Sequence, residues 1–337
     1  MDKRAIGGAI VKLVAWSLVL VILVGLFALM LLGNAFDFIK IGNISFFSSY
    51  VYDDPESYNV GNIEYSEAVD SLDISWIAGS VNIVVSEDDK VRLSEGGVED
   101  DDELLMRSKV VSGRLIVKFA DSGISVWGNN RNPKNLTVYI PASMCGNMEN
   151  LLLDSASSTL TVDGENGDSG EKIFSFDKID VDTASGTIKI KCNRASLVDV
   201  DTASGDILLE GSFGEVDVDA ASADVKLYGS ADVLTLDAVS GRVEVNGEIG
   251  EGEVGAISGA VKIKTYTTLP KRLDVETVSG NVELTLPDIE SGFQAKHEGS
   301  SGKMICDGIK TSYYKHGEGK AIYEFETASG DVVINIK

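Results

Sequence analysis

The chain has 337 residues, with 29 Lys and Arg against 53 Asp and Glu and a formal net charge of −24. Such a surface repels phosphate backbones, so nucleic-acid binding is excluded, and suits a soluble outward-facing domain with cationic partners or divalent ions. Only three cysteines are present, Cys145, Cys192 and Cys306, too few for a framework of paired disulfides.

Residues 1–12 are short and basic, with Lys3, Arg4 and Lys12. Residues 13–32 follow as an uncharged, largely apolar run of helix-spanning length. The basic flank places the N-terminus in the cytoplasm and everything after the run outside. A cleaved signal peptide is the competing reading, with Gly33-Asn34-Ala35 as a small-x-small site. The length of the apolar run favours a retained single-pass anchor. Residues 33–65, rich in Asn, Ser, Gly and aromatic residues, are expected to form a juxtamembrane linker.

From residue 66 to the end the chain is expected to be one all-β domain. Leu72-Asp73-Ile74 with Val81 and Ile83 reads as a first coil; Leu151–Asp154 with Leu160 and Val162 reads as another. Less regular strands lie between them, including Leu115–Phe119 and Leu136–Ile140, and Glu99–Glu103 reads as a solvated loop.

Regular repeats then occupy about 173–286. Val-Asp-Thr-Ala-Ser-Gly occurs at Val181–Gly186 and at Val200–Gly205. Looser copies stand at Asp219–Ala223, Asp237–Gly241, Gly255–Gly259, Glu276–Gly280 and Glu326–Gly330. The steps between Gly186, Gly205, Ala223, Gly241, Gly259 and Gly280 are 19, 18, 18, 18 and 21 residues. A fixed period of this size marks a stack of supersecondary units, none of which buries a core alone.

Within one unit the apolar residues alternate. Val200 stands five before its Gly, with Ile207 and Leu209 two and four after; the neighbours are mostly Asp, Lys or Thr. That is a pair of short strands, each with one buried face, joined at a corner of small residues. The fold expected is a β-solenoid or stacked-coil domain preceded by one transmembrane helix. A Gly-rich insertion at 291–320 reads as irregular, and 322–336 is expected to cap the stack.

The acidic positions also repeat. Asp180, Asp199 and Asp217 lie six residues before the reference position, and Asp182, Asp201 and Asp219 lie four before it. Stacked units would line these carboxylates into outward ladders about 4.8 Å apart. Like charges at that spacing call for counter-ions, so these six residues are the candidate metal ligands, with Ca2+ as the fitting ion. Against that, no Gly-Gly-x-Gly-x-Asp repeat and no Asp-x-Asp-x-Asp-Gly loop occurs, and outward strand positions are polar in any case. Lys189, Lys226, Lys262 and Arg242 are outward cations expected to balance these columns. His297 and His316 have no nucleophile motif around them, and the corner serines read as turn hydroxyls. No catalytic residues and no organic cofactor are expected. Cys192 and Cys306 fall at or near inward positions, so they read as small buried hydrophobes, with one disulfide left open.

The iterated unit, apolar-x-Thr-x-Ser-Gly-x-apolar-x-apolar, resembles that of the bacterial DUF4097 "putative adhesin" family. The resemblance runs over about 66–336 and is strongest over 179–286; Ser158 and Ala223 depart from it by replacing the corner Gly. It implies a surface-exposed β-repeat domain, often on membrane-anchored proteins, and related domains are associated with envelope-stress sensing. The function expected is therefore a non-enzymatic, membrane-anchored envelope protein that presents a repetitive acidic surface to an envelope polymer or protein partner. The alternatives are an accessory of an envelope-stress system and a β-helical enzyme acting on polysaccharide.

Overall fold

The computed structural model describes residues 50–97, 102–124, 133–166 and 171–337, and the backbone of 40–41 and 44–45. The apolar run at 13–32 and most of the acidic loop at 99–103 lie outside the described residues. Among those described, the helical segments are Pro55–Ser57, Asp102–Leu104 and Ala142–Cys145, and no helix is long and apolar enough to cross a membrane. The rest is strand and turn.

The strands form parallel layers in register. Ile188–Ser204 pairs with Ile207–Ser222, Ile207–Ser222 with Val225–Ser240, and Val225–Ser240 with Val243–Ser258. Each residue faces its equivalent one repeat later, as Val200↔Val218 and Val218↔Leu236. Alternation decides which side is buried. Val198 and Val200 are fully buried, Thr202 nearly so, and the residues between them point outward. Repetition of this pattern produces one continuous apolar column system through the stack, from Leu72 and Ile74 to Tyr323 and Phe325.

The corner explains the Thr-x-Ser-Gly signature. The buried Thr183 and Thr202 hydroxyls donate to the carbonyls of Ser185 and Ser204, at 3.0 and 3.1 Å. Thr277 and Thr327 do the same to Gly280 and Gly330. The glycine is needed because the layers touch through their backbones. A Cβ on Gly205 would lie 1.9 Å from the Gly186 carbonyl oxygen, and one on Gly259 would lie 1.7 Å from that of Gly241. Both glycines also have positive φ, which a side chain disfavours.

Both ends of the stack depart from chain order. At the N-terminal end, Ser71–Ser86 lies between Met148–Asp163 on one side and Arg114–Lys118 with Lys134–Pro141 on the other. Antiparallel strands Arg107–Val111 and Val91–Gly96 cover that outer layer, and Asn59–Val60 and Ile63–Tyr65 cover those. The domain therefore begins before residue 66. Tyr50 is buried, donates its hydroxyl to the Ser75 carbonyl at 3.2 Å and accepts from the Phe119 amide at 3.1 Å. A buried ion pair completes this end. Lys134 donates to Glu95 at 3.0 Å, to the Leu104 carbonyl at 2.6 Å and to the Phe119 carbonyl, beside the rings of Phe119 and Trp76.

The C-terminal end corrects two expectations. The repeat at 322–336 does not cap the stack. Ala321–Ser329 pairs with Arg272–Ser279 and also with Phe293–Gly299, so it is an inner layer. The outer layer comes from the segment expected to be irregular: Phe293–Gly299 and Met304–Cys306, covered by antiparallel Tyr313–His316 and Ile309–Thr311. Gly302 occupies the corner, where a Cβ would meet the Gly330 carbonyl oxygen at 1.9 Å. Parallel pairing with Ala321–Ser329 and Val332–Ile336 outweighs the weak local repeat signal of this segment. The three cysteines are all free and buried, which closes the disulfide alternative.

Candidate functional site

The strands ending at each Ser-Gly corner share one outward face, and on it the aspartates align. In one column Asp180 faces Asp199, and Asp199 faces Asp217. In the adjacent column Asp154, Asp182, Asp201, Asp219 and Asp237 stand in successive layers. All six candidate ligands thus lie on one face, in two neighbouring rows. Asp154 heads the second row; its signal in the sequence was its position four residues before Ser158, where the corner Gly is replaced. The row then passes Gly255, against which Asp237 leans: a Cβ there would lie 2.1 Å from Asp237 Oδ1. It resumes with Glu276, Glu326 and Glu298.

Packing carboxyls at the layer spacing makes several of them harder to ionise. Partial withdrawal from water raises Asp154 and Asp201 to about 6, with the neighbouring aspartates adding to the shift. Asp201 keeps its outer side in solvent, so the shielding comes from its flanks, where Asp219 and Asp182 stand. The same causes raise Asp182, Asp199 and Asp219. For Asp182 the neighbouring Asp201 and Lys178 offset part of that rise.

The cations that meet this face are not those the repeat suggested. Lys189, Lys226 and Lys262 stand just after the corners, in a separate column with Leu208, Glu244 and Glu283. Lys262 pairs with Glu283 at 3.1 Å there. Arg242 sits at a corner, its amide donating to Asp224. The aspartate face is met instead by Lys178, 2.6 Å from Asp180, and by Arg272, 2.7 Å from Asp274 and 3.7 Å from Glu324. Lys118 stands 3.7 Å from Asp73 where the row begins, and Lys296 lies 2.5 Å from Glu298 where it ends. These cations are separated by non-basic layers, so the repeat pattern carried no signal for them.

Among the described residues, no group of three or more His, Cys, Asp or Glu is disposed to hold one metal ion. The face offers a line of oxygen pairs rather than a cage. The corner serines form a second row, with Ser185 donating to Ser157 at 3.2 Å. His297 lies in the inward column opposite Phe325, buried, with Nε2 2.9 Å from the Thr327 hydroxyl and its pKa lowered by burial. His316 meets Asp288 at 2.8 Å on the outer strand. Neither histidine belongs to the aspartate rows.

Solved structures similar to this chain include three described as adhesins or adhesion proteins. A putative adhesin from Bacteroides fragilis is 13% identical, with a TM-score of 0.41, over 83% of this chain and 97% of that one. A putative cell adhesion protein from Clostridium sporogenes is 13% identical, with a TM-score of 0.20, over 83% and 100%. A putative adhesin from Parabacteroides distasonis is 11% identical, with a TM-score of 0.42, over 82% and 97%. No curated protein matches the chain. The sequence profile of the Toastrack DUF4097 family matches residues 67–335, which include the corner column, both aspartate rows and the out-of-order layers at the C-terminal end. The chain belongs to the Toastrack DUF4097 family.

Proposed function

We propose that this is a non-enzymatic cell-envelope surface protein, anchored through residues 13–32 with its C-terminal domain outside. In this reading the stack is a rigid scaffold that holds the two aspartate rows toward a cationic envelope partner, polymer or protein. The observation that carries the proposal is the in-register alignment of Asp154, Asp182, Asp201, Asp219 and Asp237 beside Asp180, Asp199 and Asp217. Aligning like charges costs stability unless something positive meets them, and a repeated linear array suits a partner that is itself extended. The acids recur with the layers and the histidines lie apart from them, an arrangement that favours many weak equivalent contacts over one reacting centre.

The test is retention of envelope fractions on the immobilised protein at rising salt. A variant with Asp182, Asp201 and Asp219 all changed to Asn should lose most of the retained material, and the wild-type interaction should weaken steeply with ionic strength. Equal retention by wild type and variant would remove the aspartate rows as the binding face. Protease digestion of intact cells should degrade the domain; protection in intact cells and digestion only after lysis would overturn the outward placement.

A further inference from the structure

The segment 321–337 fills a slot inside the stack. Its long strand, Ala321–Ser329, pairs with Arg272–Ser279 on one side and Phe293–Gly299 on the other. Its short strand, Val332–Ile336, pairs with Val282–Leu286 and with Met304–Cys306. Both walls of the slot precede the segment in sequence.

The segment also carries its own register marks. Tyr323 is fully buried, stacks on Phe293 with ring centroids 5.1 Å apart and donates its hydroxyl to the Pro270 carbonyl at 3.1 Å. The Thr327 hydroxyl meets His297. The Asp331 amide donates to Asn281 at 3.0 Å, and its carboxylate accepts from the Lys303 amide at 3.2 Å. None of these contacts requires the segment and the slot to belong to one molecule.

The covalent tie between them is short and tight. Gly317-Glu318-Gly319-Lys320 joins Tyr313–His316 to Ala321, with φ of +55° at Gly317 and +72° at Gly319. Glycine is required on both sides of this turn. A Cβ on Gly317 would lie 2.4 Å from the Glu290 carbonyl oxygen, and one on Gly292 would lie 1.9 Å from that of His316. An element held by many contacts and tied by a short hinge that only glycine can turn is suited to exchange. The exchanged and unexchanged forms share their contacts and differ only at the hinge and in the number of molecules.

We propose that strands 321–336 are an exchangeable element, and that the slot accepts the same segment from a second copy of this chain. Reciprocal exchange gives a closed two-fold pair in which each stack is complete. The turn at the hinge and the protein concentration set the balance between single chains and pairs.

The test uses two full-length single-substitution variants, Arg272→Cys and Ile322→Cys, in excess detergent. The two positions are exposed register partners, and the native cysteines are buried. The variants are mixed, unfolded together, refolded over a range of concentrations and treated with a short thiol crosslinker. Exchange predicts a heterodimer crosslinked between positions 272 and 322 that grows with concentration and exceeds a Lys90→Cys/Ile322→Cys control at least fivefold. Changing Gly317 and Gly319 to Ala, which strains the closed turn but not an extended hinge, should raise the exchanged fraction several-fold further. Light scattering on the unsubstituted chain refolded at high concentration should show a two-chain mass. Heterodimer at the control level with both hinges overturns the proposal, as does a single-chain mass throughout the concentration range.

Discussion

Gly259→Ala places the added methyl 1.7 Å from the Gly241 carbonyl oxygen, where an unstrained carbon–oxygen contact needs roughly 3.2 Å. The layers there must part by more than an ångström out of a spacing of about 4.8 Å. Two backbone hydrogen bonds at the corner span that gap. Gly241 N donates to Ser258 O at 3.2 Å and Val243 N to Ala260 O at 3.0 Å. Losing both costs about 1–3 kcal/mol in net terms. Holding Ala at the observed φ of +156° adds about 1–2 kcal/mol. The expected destabilisation is therefore about 2–5 kcal/mol, against about 0.5 kcal/mol or less for the exposed Ser258→Ala beside it. Urea unfolding followed by circular dichroism measures the difference, and hydrogen exchange at the Gly241 and Val243 amides locates it. A Gly259→Ala protein within 0.5 kcal/mol of wild type, with both amides still protected, would refute the reasoning that backbone contact selects glycine at the corner.

Further outcomes follow from the same geometry. Asp201 titrates at about 6 in the folded chain and near 4 unfolded, so the folded state holds the extra proton and stability falls as pH rises between those values. Asp201→Asn should flatten that slope and stabilise the protein at pH 7.5 by about 1 kcal/mol, after allowance for the side chain's exposure to solvent; a steeper slope in urea titrations at pH 5 and 7.5 would contradict this. Lys134→Ala leaves Glu95 buried without its cation and should cost about 3–5 kcal/mol. The loss should appear in limited proteolysis as early cleavage between residues 50 and 141, whereas uniform cleavage along the chain would argue against a local role. Thr202→Val removes the hydroxyl bond to the Ser204 carbonyl and should cost about 1 kcal/mol by thermal unfolding. Thiol reagents should modify Cys145, Cys192 and Cys306 only after denaturation, and fast labelling of any of them in the folded protein would contradict their burial.

The regular stack was legible because its information is local and repeated. Val181, Val200 and Val218 mark the buried side, Asp182, Asp201 and Asp219 the outer side, and Ser-Gly the corner, all within one period. His297 shows where that legibility ended. It occupies the inward column beside Phe325, but its own repeat is too degraded to announce a layer. The counter-cations were hidden for another reason: Lys178 and Arg272 share one column, but Leu197, Glu215, Val233 and Glu251 stand between them, so nothing in the period marks them.

By itself the sequence determined a stacked all-β architecture, the two-sided strands, the glycine corners and the alignment of aspartates into rows. Those features follow from hydrophobic alternation, steric space and a fixed period, each set by residues close together in the chain. Only the tertiary structure decided the order of layers at the two ends, the inclusion of Tyr50, and the insertion of 321–336 between two earlier segments. Which edge a strand joins depends on the free hydrogen-bonding groups and apolar columns of partners distant in sequence, and a period cannot record that choice.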